Sequence, residues 1–254
     1  MSKVLVERRG PTTLVTITRP ERRNAVDAET AVLLRAAFEA FEAEGEARVA
    51  VLSGAGGSFC AGYDLHSVAT DPPPYDAAGP GPMGPTRLLL SKPVIAAVEG
   101  HAVAGGLELA LWCDLRVVSA TAVFGVFCRR WGVPLIDGGT VRLPRIVGQG
   151  RALDMILTGR PVDADEALAI GLANRITPEG EALNEALKLA ATIASFPQMC
   201  MRADRRSAYE QWDSDIADAL RAEARGGEAP LAAEGLSGAG RFAGGEGRAG
   251  RFDR

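Results

Sequence analysis

Histidine is almost missing from this 254-residue sequence, with only His66 and His101 present. Neither belongs to a cluster with zinc-ligand spacing, so a metal centre held by the protein is not expected. The four cysteines, Cys60, Cys113, Cys128 and Cys200, lack both metal-ligand spacing and the density of a disulfide scaffold, and are expected to be reduced thiols. No apolar run reaches membrane-spanning length, although 47% of the residues are hydrophobic, so membrane insertion is not expected. An excess of positive charge is missing too. With 28 Lys and Arg against 32 Asp and Glu, the chain has no general basic field to attract nucleic acid. The first residues, MSKVLVERRG, carry charges where a secretory leader has an apolar core, and a cytoplasmic protein is the expectation.

What is present reads as alternating strands and helices. The length allows one large domain or two small ones, either able to fold without covalent staples. Val4–Glu7 and Thr13–Thr18 flank the turn pair Gly10-Pro11 and predict a β-hairpin. Asp27 is placed to cap a helix running to about Ala43, with Ala31, Leu34, Phe38 and Phe41 as its apolar stripe. Val49–Leu52 predicts a short strand and the small residues 53–57 a turn or loop. Residues 70–86 hold six prolines, which break helix and strand patterns, so a loop or partly mobile lid is expected. Pro93–Val98 and Leu115–Val118 read as strands, and Gly105–Trp112 as a helix opening on glycines. Residues 164–170, 182–194 and 201–224 read as further helices, which gives an α/β class overall. From Gly226 the last 29 residues hold nine glycines and few large apolar side chains, the composition of a loosely ordered tail.

Two stretches put glycine where chain entropy argues against it, unless the backbone turns sharply or approaches a ligand closely. One is Ser58-Phe59-Cys60-Ala61-Gly62-Tyr63-Asp64-Leu65. The other runs from Gly100-His101-Ala102-Val103-Ala104 through Gly105-Gly106-Leu107-Glu108-Leu109-Ala110 to Cys113-Asp114. Together they resemble two signature turns of the crotonase (enoyl-CoA hydratase/isomerase) superfamily. Arg19-Pro20-Glu21-Arg22-Arg23-Asn24-Ala25-Val26 is similar to the family's approach to its first helix, and Val49–Leu52 with Ser53-Gly54 to its next strand. Asp114–Val118, Gly138-Gly139-Thr140 with Arg142–Arg145, and Ala167 to Ala173 resemble further signatures, so the resemblance covers roughly residues 4–175. One glycine-rich piece is a weak signal; the ordered set is a strong one.

The resemblance implies an α/β fold, a crotonase-like spiral of repeated ββα units over residues 1–181 that carries an acyl-CoA site. It also implies a C-terminal helical region at 182–225 that joins subunits into a homo-oligomer, a trimer or a pair of trimers; 226–254 would be the tail. Coenzyme A would enter as part of an acyl- or enoyl-CoA substrate, with no separate cofactor. By the same resemblance the N–H groups of Tyr63 and Gly105 stabilise the oxygen of a thioester becoming an enolate. Gly105 opens a helix, whose positive dipole end would add to that effect. The plain alternative is that these glycines only permit tight strand-to-helix turns. Glu108 shares a helix face with Gly105 and resembles the first of two glutamates that transfer protons in the hydratases. A glutamate that merely pairs with the helix dipole would show the same pattern.

The second acid departs from the family pattern. In Phe124-Gly125-Val126-Phe127-Cys128, Cys128 stands where the hydratases have glutamate. A thiol is a weak acceptor with a much higher ordinary pKa and cannot copy a carboxylate that orients water. Cys128 therefore reads as a small buried filler lining the substrate site, or as a nucleophile or acid if its pKa is lowered. Asp137 is the candidate compensating acid, with a turn or helix-cap role as the alternative. For the coenzyme A body the resemblance points to Arg23, Ala25, Ala61, Tyr63, Asp64, Leu65 and His66. Arg22 and Arg23 would offer charge-assisted donors to phosphates, or be solvated at a helix approach. Asp64 reads more as a turn contact than as chemistry, and the Tyr63 ring either narrows the pocket or faces outward.

An enoyl-CoA hydratase/isomerase-like enzyme is thus expected. Isomerisation, which needs one base, fits the missing acid better than hydration. A non-catalytic acyl-CoA-binding homologue, or a CoA-thioester hydrolase or decarboxylase, stays open because a fold does not select among such reactions.

Overall fold

Residues 2–70 and 75–247 are described in the computed structural model, and the chain divides between Ile193 and Ala194 into two compact units. The first unit opens with the hairpin that Gly10-Pro11 predicts. Strand β1 (Val4–Arg9) runs antiparallel to β2 (Thr12–Ile17), with Val4 opposite Ile17. β1 exposes every residue but Val4, and its charged Glu7, Arg8 and Arg9 discourage pairing with another chain at this sheet edge. The Asp27 carboxylate accepts the Thr30 N–H at 2.9 Å and so caps α1 (Ala28–Ala43), which buries Leu34, Phe38 and Phe41 as the stripe requires. Next comes β3 (Val49–Gly54), longer than its apolar run because Ser53 and Gly54 pair with Thr16 and Ile17 of β2. A short α2 (Leu65–Thr70) follows the first glycine turn.

Within the proline-rich segment, residues 71–74 lie outside the described residues, and so does that part of the expected lid. The bends that follow are tied down: the Arg87 guanidinium donates to the carbonyls of Asp76, Ala77 and Gly79 at 3.2, 3.1 and 2.7 Å. Then β4 (Val94–Val98) lies parallel to β3, and β5 (His101–Val103) leads into α3 (Gly105–Trp112). β6 (Leu115–Ser119) returns beside β4 and passes to β7 (Val123–Gly125). Helices α4 (Gly139–Val147) and α5 (Gln149–Thr158), strand β8 (Val162–Asp163), helix α6 (Ala164–Ala169) and strand β9 (Arg175–Thr177) complete the winding.

Among the described residues the strands form a six-stranded sheet ordered β1-β2-β3-β4-β6-β9 and a three-stranded sheet β5-β7-β8. Twice in succession the chain gives one strand to the large sheet and the next to the small one, β4 then β5 before α3 and β6 then β7 after it. β3 and β4 are buried almost throughout, which is why they read as continuous apolar runs without alternation. The core between sheet and helices is filled by Ile17, Phe38, Phe59, Leu107 and Phe124, and Trp112 packs edge-on against Phe38 at 4.7 Å.

Helix α7 (Ala182–Ser195) is followed in the second unit by α8 (Gln198–Glu210) and α9 (Ile216–Pro230), the latter capped by Asp215. The chain then continues through a π-helical turn at Leu231–Gly235 into α10 (Leu236–Ala243). Residues 226–243 are therefore helical, where composition suggested a loose tail; 248–254 lie outside the described residues. A long-range contact that composition does not show ties this stretch to α8: the Glu234 carboxylate accepts the N–H groups of Met199 and Cys200 at 3.1 and 2.8 Å. No described helix is long and apolar enough to cross a membrane.

Candidate active site

The two glycine turns run side by side. Cys60 N–H donates to His101 O at 2.9 Å and Val103 N–H to Cys60 O at 3.1 Å, a parallel bridge that aligns the first turn with β5. Only glycine permits the approach at two points. A β-carbon on Gly106 would collide with the Cys60 carbonyl, and one on Gly62, at φ +100°, would lie 2.9 Å from the Gly105 nitrogen. Val26 N–H donates to Gly62 O and Asp64 N–H to Val26 O, both at 2.8 Å, so the Tyr63 backbone is held between two bonds to one residue. Gly105 N–H, at the first position of α3, meets no acceptor among the described residues. Ala104, just before it, has φ +53° without being glycine, strain of the order of 1–3 kcal/mol of the kind that gathers at functional sites.

Beneath the first turn lies a buried polar frame whose centre, Arg19, sequence reasoning passed over as part of a motif. Arg19 donates to Asp64 at 2.9 Å, to Asp27 at 3.1 Å and to the Ala25 carbonyl. Burial alone would raise the Asp64 carboxyl, but the Arg19 guanidinium and the His66 N–H outweigh it and hold Asp64 below the usual range. Asp64 thus anchors the turn through Arg19 and the His66 N–H. Asn24, fully buried at φ +56°, accepts the Arg19 N–H and donates to the carbonyls of Ala55 and Ser58, which fixes the approach to the turn. The other residues read as coenzyme A contacts divide in two. Arg22, Arg23, Leu65 and His66 are exposed, whereas the Ala61 N–H is bonded to Arg23 O at 3.0 Å and Ala25 is buried.

Glu108, 3% exposed, sits one turn into α3. Its Oε1 accepts the N–H groups of Asp137 and Gly139, each at 2.8 Å, so the loop before α4 fixes the carboxyl. Burial first, and the neighbouring Asp137 charge second, raise the Glu108 carboxyl from 4.5 to about 7, against the pull of the two amides and of Arg142. Such a group both takes and returns a proton near neutrality. Asp137 is equally buried, and its Oδ1 accepts the Met83 N–H at 3.0 Å and the Thr86 hydroxyl. These contacts, made to a segment rich in proline and glycine, had no signal in the sequence. Cys128 is brought within electrostatic reach of Glu108. Burial and then the Glu108 charge push its thiol above the ordinary value, so it stays a neutral thiol rather than an activated nucleophile.

Residues 7–242 match a family model described as enoyl-CoA hydratase/isomerase. An enoyl-CoA hydratase of Mycobacterium tuberculosis is 41% identical over 213 residues, covering 81% of this chain and 80% of that protein. A carnitinyl-CoA dehydratase of Salmonella arizonae is 36% identical over 217 residues, 84% of this chain and 83% of its own. A crystal structure of an enoyl-CoA hydratase from Mycobacterium tuberculosis H37Rv superposes with a TM-score of 0.91 at 33% identity, covering 96% of each chain.

Proposed function

Because the chain belongs to the enoyl-CoA hydratase/isomerase family, the crotonase superfamily, we propose that it moves a proton along the acyl chain of an enoyl-CoA thioester. Glu108 carries the proton, and the Tyr63 and Gly105 amides hold the enolate oxygen. The observation that supports this most is the Glu108 carboxyl, fixed through Oε1 and raised to about 7, with a neutral thiol at Cys128 near it and the neighbouring Asp137 carboxylate taken up by the Met83 N–H and the Thr86 hydroxyl.

The chemistry follows from one base. Ionised Glu108 removes a proton from the carbon beside the thioester carbonyl, and the C–H electron pair shifts so that charge collects on the carbonyl oxygen. Amides already in place stabilise that charge without reorganising. Protonated Glu108 then returns its proton two carbons further on, and the double bond ends conjugated with the thioester. The exposed Arg22 and Arg23 guanidiniums suit the phosphates of the coenzyme A body.

A second reading is hydration or dehydration at the same site, favoured by the relatives described as an enoyl-CoA hydratase and a carnitinyl-CoA dehydratase. A panel of 3-enoyl- and 2-enoyl-CoA thioesters, followed by absorbance of the conjugated thioester, separates the two. Isomerisation of 3-enoyl substrates is expected to exceed hydration of 2-enoyl ones, with both lost in Glu108→Gln. Hydration outrunning isomerisation would replace the first reading by the second. Tight binding of every thioester without turnover would leave a non-catalytic acyl-CoA-binding protein.

A further inference from the structure

Asp137 joins three parts of the site through one residue. Its carboxylate accepts the Met83 N–H and the Thr86 hydroxyl, its own N–H donates to Glu108 Oε1, and its carbonyl accepts from Arg142 Nη1 at 3.0 Å. Arg142 closes the ring by donating through Nη2 to Thr86 O at 2.7 Å. Met83 extends the connection to the other turn, because a β-carbon on Gly105 would lie 2.5 Å from the Met83 sulfur. Gly81 makes room for the clamp, since a β-carbon there would collide with both the Asp137 carboxylate and the Thr86 hydroxyl. One buried carboxylate therefore holds the 81–87 segment beside the Gly105 turn while its backbone holds Glu108.

We propose that Asp137 is a positioning residue for this reaction: it pins the 81–87 segment against the Gly105 turn, and its negative charge sets how firmly Glu108 holds the proton it transfers. The proposal rests on Glu108 being the proton carrier. Both bonds accepted at Oδ1 come from donors, which is the arrangement an ionised carboxylate accommodates. Its charge faces Glu108 together with the Arg142 guanidinium of α4, which opposes it, and the uncharged Cys128 thiol. Burial raises the Asp137 carboxyl above its ordinary value, against the pull of the Thr86 hydroxyl, the Met83 N–H and the Arg87 and Arg142 guanidiniums, which favour its ionised form. Two like charges in one buried site raise the proton affinity of the weaker acid.

The test is a carboxyl-carbon NMR titration of Glu108 in the full chain, with the resonance assigned by its loss in Glu108→Gln. Asp137→Asn keeps an oxygen for the Met83 and Thr86 donors while removing the charge, so the clamp persists and only the electrostatic contribution is lost. The Glu108 midpoint is expected to fall by about one pH unit, and the acid limb of kcat/KM to move down with it. An unmoved midpoint overturns the proposal, whatever the enzyme's turnover. A wrong reading of the reaction shows itself separately, as full turnover in Glu108→Gln. The unaltered chain supplies a check that does not depend on the variant folding: the Asp137 carboxyl carbon should shift through the Glu108 transition. An Asp137 signal that is flat there also overturns the proposal.

Discussion

A β-carbon placed on Gly62 would lie 2.9 Å from the amide nitrogen of Gly105, so two turns distant in sequence touch through a glycine that no other residue can replace without strain. This contact brings the two proposed amide donors to one place. Gly62→Ala adds that clash to an unfavourable positive φ. It is expected to cost about 1–3 kcal/mol in stability, and turnover to fall by about a hundredfold or more as the donors separate. Gly106→Ala, where φ is not positive, isolates the steric part, because its methyl group meets the Cys60 carbonyl. Thermal unfolding and steady-state kinetics measure both variants. Native turnover in either would mean that the close approach of the turns is not what the reaction uses.

These turns were legible in the sequence because their glycines break local propensity, and the Asp27 cap and the Gly105 opening of α3 were legible because both are local signals. The small sheet was not, since β5, β7 and β8 have only two or three residues each and carry no periodicity. Helices α4 and α5 were hidden by Pro144 and by the glycines that flank them. In the site, Glu108 could be singled out because the second glycine turn resembles the family's, with its spacing to Gly105 placing it on the same helix face. The bonds that tune it could not, because Asp137 reaches Thr86 across 51 positions and Arg19 reaches Asp64 across 45. Buried polar partners of that kind are fixed by tertiary structure alone.

A Glu108 carboxyl raised to about 7 must be ionised to act as a base. Turnover at limiting substrate is therefore expected to rise with pH and level off above about pH 7. Glu108→Gln should lower kcat by about 10²–10⁴-fold, the usual worth of a positioned proton carrier. A pH–rate profile of kcat/KM reads the first and single-turnover kinetics the second. An acid limb near the ordinary glutamate value of 4.5 would exclude Glu108 as the titrating group.

The same group ties stability to pH, with a definite sign. Its folded value of about 7 lies above the unfolded value of 4.5, so between the two the folded chain keeps a proton that the unfolded chain has released. Stability contributed by this site is complete below 4.5 and is lost as pH rises through about 7, by about 3 kcal/mol in all. Glu108→Gln retains an acceptor for the Asp137 and Gly139 amides and cannot ionise. It should be more stable than the parent at pH 8 and close to it near pH 4, which denaturant unfolding at the two pH values will show.

Arg19 carries the opposite dependence. Its guanidinium helps to hold Asp64 below the usual range, and also Asp27, which Lys3 and Thr30 join it in lowering to about 2 despite burial. Stability from these carboxylates is present above 3.8 and lost as pH falls through their folded values. Arg19→Met removes the shared partner and leaves the buried Asp64 charge without it, a loss of about 3–5 kcal/mol. Melting temperatures measured between about pH 2 and pH 6 should show acid unfolding beginning at a higher pH in the variant. Because the Asp64 N–H and the Tyr63 backbone belong to the same turn, KM for the thioester should rise as well.

Cys128→Glu tests whether the reaction is set by the residue across from Glu108. The thiol is buried within the electrostatic field of Glu108, and both burial and that charge keep it neutral. A carboxylate at that position supplies an acceptor able to orient water, and it adds a like charge that raises Glu108 further. Hydration of a 2-enoyl-CoA relative to isomerisation of a 3-enoyl-CoA is then expected to increase by about tenfold or more, while the acid limb of the pH–rate profile moves upward. Cys128→Ser, which keeps a small neutral group, should change neither the ratio nor the limb. If Cys128→Glu folds with native stability and leaves both where they were, the choice between the two reactions lies in how the acyl chain is held and not in the missing acid.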